Sequence, residues 1–271
     1  MSELRSTRNT ITLRNSAWQN RGESMRINAW ANLFLGLAVG AAIGSGGYYL
    51  YMQDVGNVRQ RVVNHQRAVT VDDQTVPNRN AVRDQAVKND YEQRGWQRLG
   101  TIAIPKLSIR LPIYDQPYNA AALKIGAQQI KARKAKTEID TTIGTGNFIL
   151  AAHNYADGKT MFSALQEMAN KDAPYLVNDQ PGHNDWLNGS KLYLANDWGV
   201  YEYRIDDQYT VKKDDLNVLQ NTDDAVVNIV TCLYPSDEYR IITHASLVKQ
   251  WDWQTVPNRA LIAIGIGKYN V

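Results

Sequence analysis

Val226-Val227-Asn228-Ile229-Val230-Thr231-Cys232 is the stretch on which the reading of this chain turns. Four of its seven residues are valine or isoleucine and one is threonine, the β-branched types that suit a pleated strand. The run ends in the only cysteine of the chain. A reactive side chain at the end of a strand projects from a rigid base into whatever cleft the strand borders. A lone cysteine also has a blander reading, as a small buried hydrophobe, so Cys232 by itself decides nothing and its neighbours must.

On the C-terminal side, the loop Leu233–Tyr239 leads into a second β-type run, Tyr239–Val248, with Arg240 at its start. A hairpin-like return would bring Arg240 back beside Cys232. Far upstream, Asn147–His153 is another such run, and it too ends in a reactive type, followed by the turn-former Asn154. His153 therefore mirrors Cys232. His244 shares a strand face with Arg240 by period two and is a second candidate partner. His65 and His183 lie in polar surroundings and read as solvated. A cysteine thiolate is a strong nucleophile with an ordinary pKa of about 8.5, which suits acyl transfer. A histidine can protonate a leaving amine. Arginine cannot serve as a base, so its part would be to bind substrate or steady an oxyanion. No Asp or Asn partner for the histidine is identifiable from the sequence.

Further β-type runs are Thr101–Ile104, Leu107–Ile113, Lys191–Ala195, Val200–Ile205, Gln208–Lys212 and Leu261–Ile266, with Gly, Asn and Asp between them. Helical spacing appears mainly at Ala120–Ile125 and Met161–Met168. Many short strands and few helices predict a mainly β fold, a closed or nearly closed barrel with short helices.

The flanks set the organisation. The chain has 271 residues, 44% of them hydrophobic, enough for one core of about 150–200 residues plus an appendage. Its net charge of +3 resides in residues 1–27, where Arg5, Arg8, Arg14, Arg21 and Arg26 face only Glu3 and Glu23. The remainder is neutral, which argues against a nucleic-acid partner. One cysteine excludes an intrachain disulfide and a multi-cysteine zinc site. From Ile27 to Gln53 there is no charged residue, with Trp30 at one end and Tyr48, Tyr49 and Tyr51 at the other. Length and aromatic ends predict one transmembrane signal-anchor helix at 28–52, and the arginines before it place the N-terminus in the cytoplasm. A cleaved signal peptide and a buried core helix are the competing readings. Residues 53–95 are polar, with Val55, Val58, Val62 and Val63 at helical spacing. Periodicity leaves two options open for them, an extracellular stalk or a cap packed on the domain. Residues 96–271 are expected to form the one folded domain, which carries Cys232, His153 and Arg240.

With these motifs in order, the sequence resembles the sortase family, most closely its class A members. The motifs are Ile229-Val230-Thr231-Cys232, Tyr239-Arg240-Ile241-Ile242 and Ile149-Leu150-Ala151-Ala152-His153-Asn154. An entry strand at Leu99–Leu107, Leu111-Pro112-Ile113-Tyr114 and the segment Met161–Leu165 add to the likeness, which runs from about Leu99 to Val248. The resemblance implies an eight-stranded barrel. It implies that Cys232 attacks the Thr–Gly carbonyl of an LPxTG-like sorting signal on a surface protein. The acyl-enzyme would then be resolved by an amine of a lipid II-type peptidoglycan precursor. It makes His153 the general acid and base, gives Arg240 the substrate and the oxyanion, and adds Thr231 and Ala152 as substrate contacts. It also implies a single-pass cell-membrane enzyme of a Gram-positive envelope, facing the wall. Some class A members use calcium bound by an acidic loop, but the corresponding stretch here, Gln128–Lys136, carries Lys131, Arg133, Lys134 and Lys136. No metal, cofactor or calcium activation is expected. Residues 171–188 look like an insertion. Two alternatives stand beside this reading: a pilin-type sortase, and a non-catalytic envelope protein that crosslinks through Cys232.

Overall fold

The computed structural model describes residues 78–169 and 171–265. The expected anchor at 28–52, the basic tail before it and the valine-spaced part of the stalk lie outside the described residues. Among the described residues no helix is long and apolar enough to cross a membrane.

The described chain opens with helix α1 (Arg79–Val87). Asn78 caps it, its Oδ1 accepting from the backbone N–H groups of Asn80 and Ala81 at 3.0 and 3.2 Å. Val82 and Ala86, one helical turn apart, form its buried face. This part of residues 53–95 is thus packed on the domain. Strands β1 (Arg98–Ile104) and β2 (Ile109–Tyr114) form a hairpin, followed by β3 (Ala127–Ile130), a small ribbon of β4 (Ala132–Lys134) and β5 (Thr137–Ile139), and β6 (Asn147–Ala151). A second ribbon, β7 (Leu176–Val177) and β8 (Gln180–Pro181), lies within the 171–188 segment. Then come β9 (Lys191–Ala195), β10 (Gly199–Lys212), β11 (Val226–Cys232), β12 (Tyr239–Asp252) and helix α2 (Asn258–Gly265). Eight of the strands close into a barrel in the order β1-β2-β3-β6-β11-β12-β10-β9. Closure removes the unpaired edges that an open sheet would expose.

The barrel is filled by alternate residues of its strands. Ile102, Ile104, Leu111, Ile113, Phe148, Leu150, Leu192, Leu194, Tyr203, Ile205, Val227 and Ile229 belong to one buried cluster. Gly100 sits at a bulge of β1 with φ of 152°, where a Cβ would overlap the carbonyl of Ala195 on β9, so only glycine lets these strands approach. A second cluster joins both helices to the barrel's outer wall: Val82 and Ala86 of α1, Ala260, Leu261 and Ile264 of α2, and Ala103, Tyr193 and Val200 of the strands. Arg79 fastens the arrangement, donating to the carbonyls of Trp253 and Val256 at 2.8 and 3.0 Å.

Three expectations need correction. Leu261–Ile266, expected as a strand, lies largely in α2, because Ala260, Leu261 and Ile264 present a helical stripe. Arg110 donates from Nε to the Ile264 carbonyl at the helix end at 2.5 Å. Val200–Ile205 and Gln208–Lys212 are one strand of 14 residues, because the chain absorbs the polar Asp206-Asp207 step as a bulge between Ile205 and Asp207. Ala120–Ile125 and Met161–Met168 hold only single 3₁₀ turns, Ala122–Lys124 and Ser163–Leu165.

Candidate active site

Three neighbouring strands, β6, β11 and β12, carry the residues picked out from the sequence. β11 and β12 are antiparallel, and Cys232 is paired with Arg240. The Leu233 N–H donates to the Tyr239 carbonyl at 3.1 Å. That bond makes Leu233 and Tyr239 a hydrogen-bonded pair, so Cys232 and Arg240, one step in, form a non-hydrogen-bonded pair. Such pairs have Cα atoms only about 4.5 Å apart, with their side chains close and on one face. On the other side, β11 runs parallel to β6, from Val226 opposite Asn147 to Val230 opposite Ala151. Beyond that pair the two chains stay joined, the Thr231 hydroxyl donating to the Ala152 carbonyl and Asn154 Nδ2 to the Cys232 carbonyl, which brings His153 alongside Cys232. Adjacent strands lie about 4.8 Å apart, so the cysteine stands between the histidine and the arginine.

The face follows from alternation. Phe148, Leu150 and Ala152 of β6 and its extension, like Val227 and Ile229 of β11, point into the barrel. His153 and Cys232, each out of step with those residues, are on the outer face. Both are partly exposed. Thr231 and Ala152, expected as substrate contacts, have side chains turned inward, only 2% and 6% exposed. The Thr231 hydroxyl donates to the Ala152 carbonyl at 2.9 Å. It thereby extends the pairing of β6 and β11 by one rung, directly beneath the cysteine and histidine. Whatever these two residues give the site passes through the strands they join.

Burial lowers the pKa of His153, and the positive charge of Lys124 lowers it further. The imidazole is therefore mostly neutral at pH 7. Its ring lies 5.3 Å from that of Tyr155, and no carboxylate is paired with it among the described residues. Arg240 donates from Nη1 to the carbonyls of Asp237 and Tyr239 at 2.7 and 2.9 Å, which folds the guanidinium over its own loop. His244 is placed elsewhere. It lies four residues further along β12, about 13 Å away, with Nδ1 2.9 Å from Asn228 Oδ1 and Nε2 3.8 Å from Asp206. His183 is exposed and lies 3.4 Å from Asp207, and His65 is outside the described residues.

Sequence reasoning missed the residue that ties these elements together. Gln166 is fully buried. Its Oε1 accepts from Asn154 Nδ2 at 2.6 Å and from the Tyr234 N–H at 3.0 Å. Its Nε2 donates to the carbonyls of Tyr234, Lys171 and Met168 at 2.7, 3.0 and 3.2 Å. Asn154, the residue after the histidine, also donates to the carbonyl of Cys232 at 2.8 Å. The histidine turn and the loop after the cysteine are thus pinned to one amide. The 171–188 segment braces the same loop, because Tyr175, fully buried, packs with Leu233 and Ile241. An amide directly after the stretch Phe162-Ser163-Ala164-Leu165 was the available signal for Gln166, since a buried amide demands partners.

A family model described as a sortase domain matches residues 102–248. The sortase A of Streptococcus agalactiae serotype III is 30% identical over 177 residues, 64% of this chain and 61% of that protein. The sortase A of Listeria monocytogenes is 25% identical over 139 residues, 51% of each chain. This chain therefore spans about half to three-fifths of the length of these relatives. A solved structure of Listeria monocytogenes sortase A is 26% identical, covering 57% of this chain and 90% of that one, with a TM-score of 0.44. The matched residues begin inside β1 and end inside β12, so they take in the barrel and all three strand ends that carry Cys232, His153 and Arg240; this chain belongs to the sortase family.

Proposed function

We propose that the chain is a cysteine transpeptidase that cleaves an LPxTG-like sorting signal between Thr and Gly and joins the new carboxyl end to an amine of a cell-wall precursor. The observation that carries this is the pairing register, which puts a histidine and an arginine on either side of the only cysteine. Neutral His153 takes the thiol proton as Cys232 sulfur attacks the threonine carbonyl carbon. Arg240 swings from its loop carbonyls and donates to the oxygen as it gains charge. The C–N bond breaks, and the imidazolium returns its proton to the leaving glycine amine. A thioester remains. The acceptor amine attacks it, His153 takes the amine proton, the C–S bond breaks, and the proton goes back to sulfur. The family membership and the lowered pKa of His153, which favours the proton-accepting form, support this sequence.

The enzyme would work from the outer face of the membrane, anchored by residues 28–52, with surface proteins and a lipid II-type amine as its partners. It would need no cofactor and no calcium: the Gln128–Lys136 stretch is basic, and Lys131 is already paired with Asp140 at 3.0 Å. The test is cleavage of an LPxTG peptide by the full chain with a glycine-type amine as acceptor. Cys232→Ala should abolish it, and His153→Ala and Arg240→Ala should each cost at least 100-fold in kcat/KM with the fold intact. Turnover retained in Cys232→Ala ends the proposal. Full activity in the His153 and Arg240 variants, with a Cys-linked dimer on non-reducing gels, favours the crosslinking protein instead.

A further inference from the structure

A cavity of about 690 Å³ opens away from the candidate active site. It lies by the start of β6, where Phe148 forms part of its wall, whereas His153 follows the strand's other end, about 16 Å along. Its size is within the range of roughly 300–1,000 Å³ usual for small-molecule sites.

Two features of its lining point to a ligand. The first is at its mouth. Tyr118 and Trp198 are 88% and 82% exposed, and among the described residues they are the two aromatic ones of the large apolar side chains left mostly in water. Both line this one cavity. Trp198 is held in place by a tight turn, in which Asn196 Oδ1 accepts from the N–H groups of Trp198 and Gly199 at 3.0 and 3.1 Å. An exposed aromatic plane on a fixed backbone turn is suited to stacking on another flat apolar face. The second feature is the mixture inside. Apolar Leu99, Ile143 and Phe148 alternate with Gln97, Gln129 and Asn196.

The charges in the lining do not make it a cation site. Asp140 is paired with Lys131. Asp115 accepts from the Gln97 N–H at 2.9 Å and from Gln116 at 3.0 Å. Arg98 is turned inward, donating to the carbonyls of Gly100 and Ala86. What is offered to a ligand is aromatic faces, apolar wall, amide groups and the exposed carboxylates of Glu138 and Asp197, which can accept from hydroxyls. A pyranose ring matches that combination, with C–H faces to stack and hydroxyl and acetamido groups to hydrogen-bond.

We propose that this cavity is a saccharide-binding subsite, with Trp198 and Tyr118 as its stacking platforms. An N-acetylated hexosamine chain is the form expected, and that choice rests on the reading of the protein as a cell-wall enzyme; the saccharide class itself does not. The subsite would hold the chain to glycan near its acceptor, leaving the catalytic face free.

The experiment titrates a β-1,4-linked N-acetylglucosamine tetrasaccharide into the full chain by calorimetry, beside an oligolysine peptide, and measures LPxTG cleavage on the same samples. Saccharide binding that weakens at least tenfold in both Trp198→Ala and Tyr118→Ala, with cleavage and thermal unfolding unchanged, supports the proposal. Absence of saccharide binding, saccharide binding indifferent to both changes, or binding of the oligolysine alone overturns it. Failure of the subsite leaves peptide cleavage intact, whereas failure of the transpeptidase reading removes cleavage and leaves the titration to be read by itself.

Discussion

Gln166→Leu replaces the buried amide by an apolar side chain of similar volume, so its effect should come from lost hydrogen bonds and not from a cavity. Five bonds are lost, but the Met168 carbonyl keeps the Lys171 N–H and exposed Lys171 is open to water, which leaves three groups to count: the Tyr234 N–H, the Tyr234 carbonyl, and the hydrogen of Asn154 Nδ2 that is not given to Cys232. A buried unsatisfied group costs about 1–3 kcal/mol. Tyr234 is only partly buried, so water can answer some of its need. Taking the low end for each gives a destabilisation of about 3 kcal/mol. For a domain of this size that lowers the melting temperature by about 6–12 °C. The domain should still be folded at 25 °C, since natural domains have about 5–15 kcal/mol in hand. The activity loss should be larger than that stability loss can explain. With Asn154 no longer fixed by Gln166, both the histidine turn and the Cys232 carbonyl lose their reference point, and we expect kcat to fall about tenfold or more with KM little changed, since small misplacements of reacting groups are costly. The assay is peptide cleavage at 25 °C beside differential scanning calorimetry. A variant that melts within 2 °C of the parent and keeps full kcat would refute the idea that this amide positions the site.

Other consequences can be checked with the same peptide. Thr231→Val keeps shape but removes the hydroxyl bonded to Ala152, and should cost about 1–2 kcal/mol of stability and several-fold in kcat, read by chemical denaturation and by initial rates. Arg240→Lys keeps the charge and loses the guanidinium fork, so kcat/KM should drop about 100–1,000-fold; a tenfold loss or less would assign the arginine to binding alone. Because the fold holds His153 below its ordinary value, the folded protein binds fewer protons than the unfolded chain just below pH 6.5. Its contribution to stability is therefore present above that pH and lost as pH falls from 6.5 toward the folded pKa, and the acidic limb of kcat/KM should lie below 6.5. Lys124→Gln should move that limb upward, and an unmoved limb would exclude Lys124 as a cause. Cleavage should be the same in calcium and in a calcium chelator.

The barrel strands were legible where apolar and β-branched residues run together between turn-formers, as in Lys191–Ala195 and Val226–Cys232, which are buried almost throughout. They were illegible where pairing does the work. β3, with Gln128 and Gln129 at its centre, has no apolar alternation to announce it; it is a strand because β2 and β6 flank it. Cys232, His153 and Arg240 could be picked out because reactive types closed apolar runs. Their side-by-side order could not, since it depends on a parallel register between strands almost eighty residues apart. Gln166 was hidden for a related reason. Its five partners come from three separate segments, and no local spacing records that convergence.

The docking of α1 has a mechanical meaning. Whatever load arrives through the residues before Arg79 enters the barrel through Val82 and Ala86, against Ala103, Tyr193 and Val200, and through the Arg79 clasp to Trp253 and Val256. Those residues belong to α1, β1, β9 and β10 and to the segment just past the far end of β12. The wall of β6, β11 and the start of β12, where the thiol, imidazole and guanidinium stand, is not in that line of force. A pull on the N-terminal segment alone is therefore taken up by the wall that carries the helices, on strands other than the one that holds Cys232.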